Sequence, residues 1–353
     1  MISLAGLPLH ELEKQLSPLP KYRAKQIYQW INRGVFEFGK MTDIPVNLQE
    51  ELNTKYVILS SIVNTVHDDK DAKKIVFTLI DGFKIEAVLL NDGKGRYTAC
   101  LSTQVGCPAG CVFCKTGSLG FKRNLDSGEI IEQLLHLNNN IEPQGTRQSL
   151  GSQVQLSSST VNNIVIMGMG EPLLNLENLR KSISFFTDAE GMNLSRRRIT
   201  VSTCGICEGL FELAQNGPYI RLALSLTTAD ETLRQKLMPI TRANPLKKVK
   251  EALLLFQQKS SSRITLEIPL LSGINTRKKD ADLIKEFSNG LDCVINIIPW
   301  NHVAGLESDG VALLEPGKEE LFTFIKALEN NGLKITKRRF KGGNIAGACG
   351  QLG

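Results

Sequence analysis

"CLSTQVGCPAGCVFCKTGSLG", residues 100–120, sets four of the chain's eight cysteines within fifteen positions. Cys107, Cys111 and Cys114 have C-x-x-x-C-x-x-C spacing, set among Gly106, Pro108, Gly110 and Gly117. Glycines let a backbone wrap closely around a bulky group, and thiolates are soft ligands that suit iron–sulfur clusters or zinc. A structural zinc takes four ligands, typically as two separated pairs. Here only three thiols share the loop, with Cys100 back in a strand-like run. The alternative is a cubane cluster with three protein-held irons and one open iron, which a small molecule completes.

Outward from this loop, strand-like runs at 98–103, 162–168, 197–203, 220–226, 263–270 and 293–300 alternate with helical patterns. Such alternation predicts βα units in a parallel sheet, a partial (β/α)6 barrel. In parallel barrels the working residues sit just past the C-terminal ends of the strands. "QVGCPAGCVFC", "GMGEP", "STCG", "SLTT", "SGIN" and "WNH" follow the six runs in turn, so all six are expected on one rim. A further helix, "GKEELFTFIKALENN", and a strand-like "LKITKRRF" close the chain, and the polar segment 141–160 reads as a surface insertion without chemistry.

Residues 1–60 show three helical patterns, followed by "KKIVFTLIDGFKIEAVLL", two β-rich runs around Asp81-Gly82. The dipeptide is a hairpin signal. The expected organisation is an N-terminal accessory domain over 1–92 and a core over 93–353, divided at the Gly-rich "NDGKGRY".

The 353 residues are 42% hydrophobic and 22% charged, ordinary globular values. The longest apolar runs fall far short of the ~18 residues of a membrane span, and "MISLAGLPLHELEKQ" lacks a secretory pattern. A cytoplasmic protein is expected, and there clustered cysteines point to metal or catalysis rather than a disulfide framework. Net charge is +6, with basic bunches at 120–124, 195–200, 276–280 and 335–341. Any one of them suits a solvated face; together they suit a polyanionic partner.

The string "CLSTQVGCPAGCVFCKTGSLGFKRNL", together with "VIMGMGEPLLN", "LSRRRITVST", "LALSL", "LMPI", "INIIPWN" and "AGACGQL", resembles the RlmN/Cfr family of radical SAM RNA adenine methyltransferases. The resemblance runs in colinear order from about residue 82 to 352. It implies that Cys107, Cys111 and Cys114 hold a 4Fe–4S cluster whose open iron binds S-adenosylmethionine, two molecules being used per turnover. It implies further that Gly170, Glu171, Ser202, Ser225 with Leu226 and Thr227, and Asn301 contact that cofactor. Cys349 matches the cysteine that carries the methyl group as S-methylcysteine, Cys100 the thiol that resolves the RNA adduct through a transient disulfide with Cys349, and Glu86 the proton acceptor. Thiolate nucleophilicity, thiol exchange and carboxylate base catalysis make each role chemically reasonable.

The implied substrate is an adenosine of 23S rRNA, of tRNA, or of both, methylated at ring carbon 2, with a flavodoxin- or ferredoxin-type reductase as electron source and no membrane partner. Carbon 8, the Cfr-type reaction, is the alternative within the family. A catalytically silent RNA-binding paralogue, or a radical SAM enzyme acting on a small molecule or peptide, are the alternatives outside it. Thr227 and Thr241 stand where the family usually has histidine and asparagine, which suggests a divergent member. Among bland readings, Glu86 could be the solvent face of a strand, and Cys204 and Cys207 an incidental C-x-x-C.

Overall fold

The computed structural model describes residues 2–141, 160–337 and 341–353. The interior of the expected insertion, 142–159, and positions 338–340 lie outside the described residues.

Three helices open the chain, α1 (Leu9–Gln15), α2 (Lys21–Asn32) and α3 (Val46–Lys55), each following directly on a proline, Pro8, Pro20 and Pro45. Ten strands then form one sheet in strict chain order: β1 (Ile62–Asp69), β2 (Ala72–Thr78), β3 (Lys84–Asn91), β4 (Tyr97–Leu101), β5 (Val161–Ile166), β6 (Ile199–Thr203), β7 (Arg221–Ser225), β8 (Ile264–Leu270), β9 (Cys293–Pro299) and β10 (Ile335–Lys337). Pairing is antiparallel from β1 to β4 and parallel from β4 to β10.

Parallel neighbours need crossovers, and helices supply them. They are α4 (Ser127–Asn139), α5 (Leu176–Thr187), α6 (Cys207–Asn216), α7 (Glu231–Leu237) with α8 (Leu246–Ser260), α9 (Lys278–Ser288) and α10 (Lys318–Asn330). Among the described residues β1 and β10 end the sheet without pairing to each other, so the barrel they form is open, as the six-fold βα repeat predicts. The Asp81-Gly82 hairpin forms between β2 and β3, with Gly82 at φ +82. The sequence reading lacked β1, whose residues are largely exposed, because an edge strand with little to bury carries no alternating pattern. It also lacked α7, a helix of seven residues.

The apolar interior has two parts. One joins α1–α3 to β2–β6, α4 and α5; the other joins β7–β9 to α6–α10. The first core runs across position 92, so the N-terminal helices and the hairpin pack as a continuation of the barrel wall. Glu132 of α4, fully buried, fastens this junction: its carboxylate accepts from Ser3 Oγ, Ser60 N and Oγ, and Ser61 N and Oγ at 2.5–2.9 Å. Among the described residues no helix is long and apolar enough to cross a membrane.

Candidate active site

The cysteine loop leaves β4 and folds back on itself. Gly106 sits at φ +72, and a Cβ there would lie 1.7 Å from Gly120 O. Cys107 N donates to Gly120 O, and Val105 O accepts from Lys122 N, which closes the loop base. A Cβ on Gly117 would lie 2.7 Å from Cys111 O. The wrapping that the glycines implied is therefore obligatory at these two positions. Two bonds to outside residues hold the loop: Trp300 Nε1 donates to Phe113 O at 2.9 Å, and Val112 N donates to Leu237 O at 3.0 Å.

Cys107, Cys111 and Cys114 face one cavity at the C-terminal ends of the strands. Gly170 and Glu171 after β5, Ser202 of β6, Ser225 of β7 and Asn301 after β9 line it too. Burial drives the Cys107 thiol up to about 12, and burial with the neighbouring Cys114 and Cys107 thiols drives Cys111 well up. Such thiols ionise only when a positive centre takes over the role of water. Among the described residues no three metal-ligating side chains converge on a single-ion site.

Glu171 is buried, which pushes its carboxyl up, yet it is well satisfied: Oε1 accepts from Leu173 N and Thr203 Oγ1, and Oε2 from Cys204 N, at 2.7–3.0 Å. It thereby ties the loops after β5 and β6 together. Leu226 and Thr227 do not line the cavity. Both are fully buried behind Ser225, where Thr227, at φ +62, turns the chain towards α7 and its Oγ1 has no hydrogen-bond partner among the described residues. The "SGIN" loop after β8 also stays off the cavity wall. Its Asn275 is buried and braces Thr227 O and Pro269 O instead.

Three side chains escaped the sequence reading. Glu267 of β8 is buried on the cavity wall and accepts from Ser202 Oγ at 2.8 Å; a lone acid in an apolar parallel strand was the available signal. Arg234 of α7 is fully buried and donates to Leu226 O, Cys204 O, Ser225 O and Thr241 Oγ1. Thr241 thus has a bracing role of its own. Cys204 lines the cavity beside the cysteine loop, whereas Cys207 sits at the start of α6. Lys74 is the third missed side chain, and it belongs to the seat of the C-terminal segment.

That segment, 341–353, brings Cys349 to the junction of the first cavity and a second one of about 580 Å³, which Cys100 also lines. Asn301 Nδ2 donates to Cys349 O at 2.8 Å, Lys115 N to Gly350 O at 2.8 Å, and Thr116 Oγ1 to Leu352 O at 2.6 Å. Glu86 of β3 accepts from Gly353 N at 3.0 Å through Oε2 and pairs with Lys74 Nζ at 3.1 Å through Oε1. Its side chain is only 12% exposed, so the solvent-face reading is replaced by a buried ion pair.

Two family models match the chain: the ribosomal RNA large subunit methyltransferase N-terminal domain over residues 2–58 and the radical SAM superfamily over 158–284. The probable dual-specificity RNA methyltransferase RlmN of Treponema denticola is 44% identical over 99% of this chain and 95% of the relative. The chain belongs to the RlmN family. A second RlmN relative, from Thermus thermophilus, is 38% identical over 98% of this chain and 92% of its own length. A crystal structure of a radical SAM methyltransferase from Sphaerobacter thermophilus superimposes with a TM-score of 0.90 at 32% identity, covering 100% of this chain and 99% of that one. RlmN-type chemistry uses a 4Fe–4S cluster and S-adenosylmethionine, and the donor set of the first cavity, three soft thiols with hydroxyls, an amide and strand-end backbone, fits both.

Proposed function

We propose that the chain methylates carbon 2 of an adenosine in 23S rRNA and tRNA, with the methyl group carried on Cys349. The observation that carries this reading is the place of Cys349: it borders the cysteine-loop cavity on one side and the Cys100-lined cavity on the other. A sulfur there can load a methyl group in the first and deliver it in the second.

Cys107, Cys111 and Cys114 would hold the cluster, and Gly170, Glu171, Ser202, Ser225 and Asn301 the S-adenosylmethionine. When bound, the pair supplies the methyl group and the one-electron chemistry that activates it. The chain's own groups do the rest. Cys349 Sγ, as thiolate, takes the methyl group. The second cavity, walled by Val88, Leu90, Met167 and Ile298, receives an adenine flipped out of its stack. Once the methyl carbon, having given up one hydrogen atom to that one-electron chemistry, has joined carbon 2, Glu86 takes the ring proton, and the odd electron would return to the bound cofactors. Cys100 then attacks Cys349 Sγ: an S–S bond forms, the C–S bond breaks, and its electron pair stays with the carbon, which becomes methyl on gaining a proton. A flavodoxin- or ferredoxin-type donor supplies electrons, and RNA as substrate puts the work in the cytoplasm. Residues 1–92 would serve as the RNA-binding accessory domain.

The test uses anaerobically loaded enzyme and an RNA bearing the target adenosine. Cys100→Ala is expected to accumulate protein covalently joined to RNA on denaturing gels, and Cys349→Ala to give neither adduct nor methyladenosine. Methyladenosine formed by Cys349→Ala contradicts the reading.

A further inference from the structure

Strand register puts one face of the hairpin beneath the Cys349 segment. Val88 lies opposite Cys100 in the β3–β4 pair and opposite Lys74 in the β2–β3 pair. Side chains alternate along strands. Lys74, Glu86, Val88, Leu90 and Cys100 therefore share one face, and the last three line the second cavity.

On that face Lys74 is nearly buried, with its side chain 9% exposed. Its ammonium makes two contacts, with Glu86 Oε1 at 3.1 Å and with Ala346 O at 3.4 Å, three residues before Cys349. Glu86 Oε2 accepts from Gly353 N, four residues after Cys349. The ion pair thus grips the segment on both sides of the reactive sulfur. A buried ion pair is poor value for stability alone, since an apolar pair of similar volume often does as well or better. Its presence at this place points to a role in position rather than in folding.

We propose that Lys74 is a positioning residue of the methyl transfer: it fixes the Glu86 carboxylate on the sheet face whose Val88, Leu90 and Cys100 line the second cavity, and it anchors the Cys349 segment through Ala346. This rests on the reading of Glu86 as proton acceptor. Because Glu86 Oε2 is engaged by Gly353 N, the carboxylate reaches a ring proton only after that contact opens, while Lys74 holds the other oxygen in place.

The experiment is a double-mutant cycle on the rate at which RNA-linked enzyme converts to methyladenosine, in single turnovers of anaerobically loaded protein. The variants are Lys74→Met, Glu86→Gln and their combination, with Lys74→Arg as the conservative rescue. Glu86→Gln is expected to slow conversion at least about 100-fold, the usual span of a general base. Lys74→Met is expected to slow it about tenfold or more, as for a lost hydrogen bond to a charged group. The double variant should fall well short of the product of the two single effects, because the part of Lys74 that acts through Glu86 is silent once Glu86 is gone, while the anchor at Ala346 is read separately by amide exchange. Lys74→Arg should recover most of the rate. In cluster-free protein, Lys74→Met should also raise amide exchange over residues 344–353.

Should Lys74→Met not fold, Lys74→Gln replaces it in the cycle. Effects that multiply in the double variant, with Glu86→Gln slow, overturn the proposal and leave the Glu86 reading standing. So does a wild-type rate in Lys74→Met. A wild-type rate in Glu86→Gln overturns both. Unchanged exchange over 344–353 overturns the anchoring role.

Discussion

Gly106 shows how one missing side chain shapes the cysteine loop. At φ +72, with Gly120 O where a Cβ would go, Gly106→Ala meets backbone that cannot swing aside. The cost exceeds the about 1–3 kcal/mol of a strained φ alone. Anaerobically reconstituted Gly106→Ala is therefore expected to retain far less iron per chain than wild type, by iron assay and by the cluster's visible absorption. Full iron content would contradict this account of the loop. The cysteines and glycines were legible because their chemistry needs fixed spacing within a single loop. Lys74, Glu267 and Arg234 were not, because each acts on residues far away in sequence and a lone charge in a strand or helix does not announce its partner.

At the scale of elements, α4 bolts the N-terminal segment to the barrel through Glu132 and His136. Removing the Glu132 carboxylate leaves the Ser60 and Ser61 donors unmatched. Glu132→Ala is expected to cost about 2–4 kcal/mol, read as a lower denaturant midpoint, while Glu132→Gln costs less. His136 packs against Phe36 and Phe77, and burial lowers its pKa despite the nearby Glu132. A histidine more easily protonated when unfolded binds more protons in that state. Its contribution to stability is full above about pH 6.5, the unfolded value, and is lost as pH falls through the lowered folded value. Denaturation between pH 7.5 and 5 should show a loss that His136→Gln diminishes; an identical slope in the variant would sink this assignment. The βα repeat was readable from its alternating apolar periods, and the hairpin from Asp81-Gly82. β1 was hidden because its neighbours bury so little of it.

For the molecule as a whole, charge bears on the partner. Of the basic bunches, Arg123 is committed internally to Glu129 and Asp81, and Arg277 to Asp280. Arg196, Arg197 and Arg198 are exposed on one turn leading into β6. Of the N-terminal cations, Lys25 pairs with Glu190 at the surface, an exposed contact that a phosphate can displace. Replacing Arg196 and Arg197 by alanine is expected to lower the salt slope of RNA binding by about 2, with S-methylation of Cys349 unaffected. An unchanged slope would remove this turn from the RNA surface.

The central claim is methylation of adenosine at carbon 2 by way of Cys349. Mass spectrometry of nucleosides from rRNA and tRNA, in a strain lacking this gene and complemented with wild type or Cys349→Ala, tests it most directly. The account predicts 2-methyladenosine in both RNA fractions with wild type and in neither with Cys349→Ala. The 8-methyl isomer, or 2-methyladenosine made by Cys349→Ala, would contradict it.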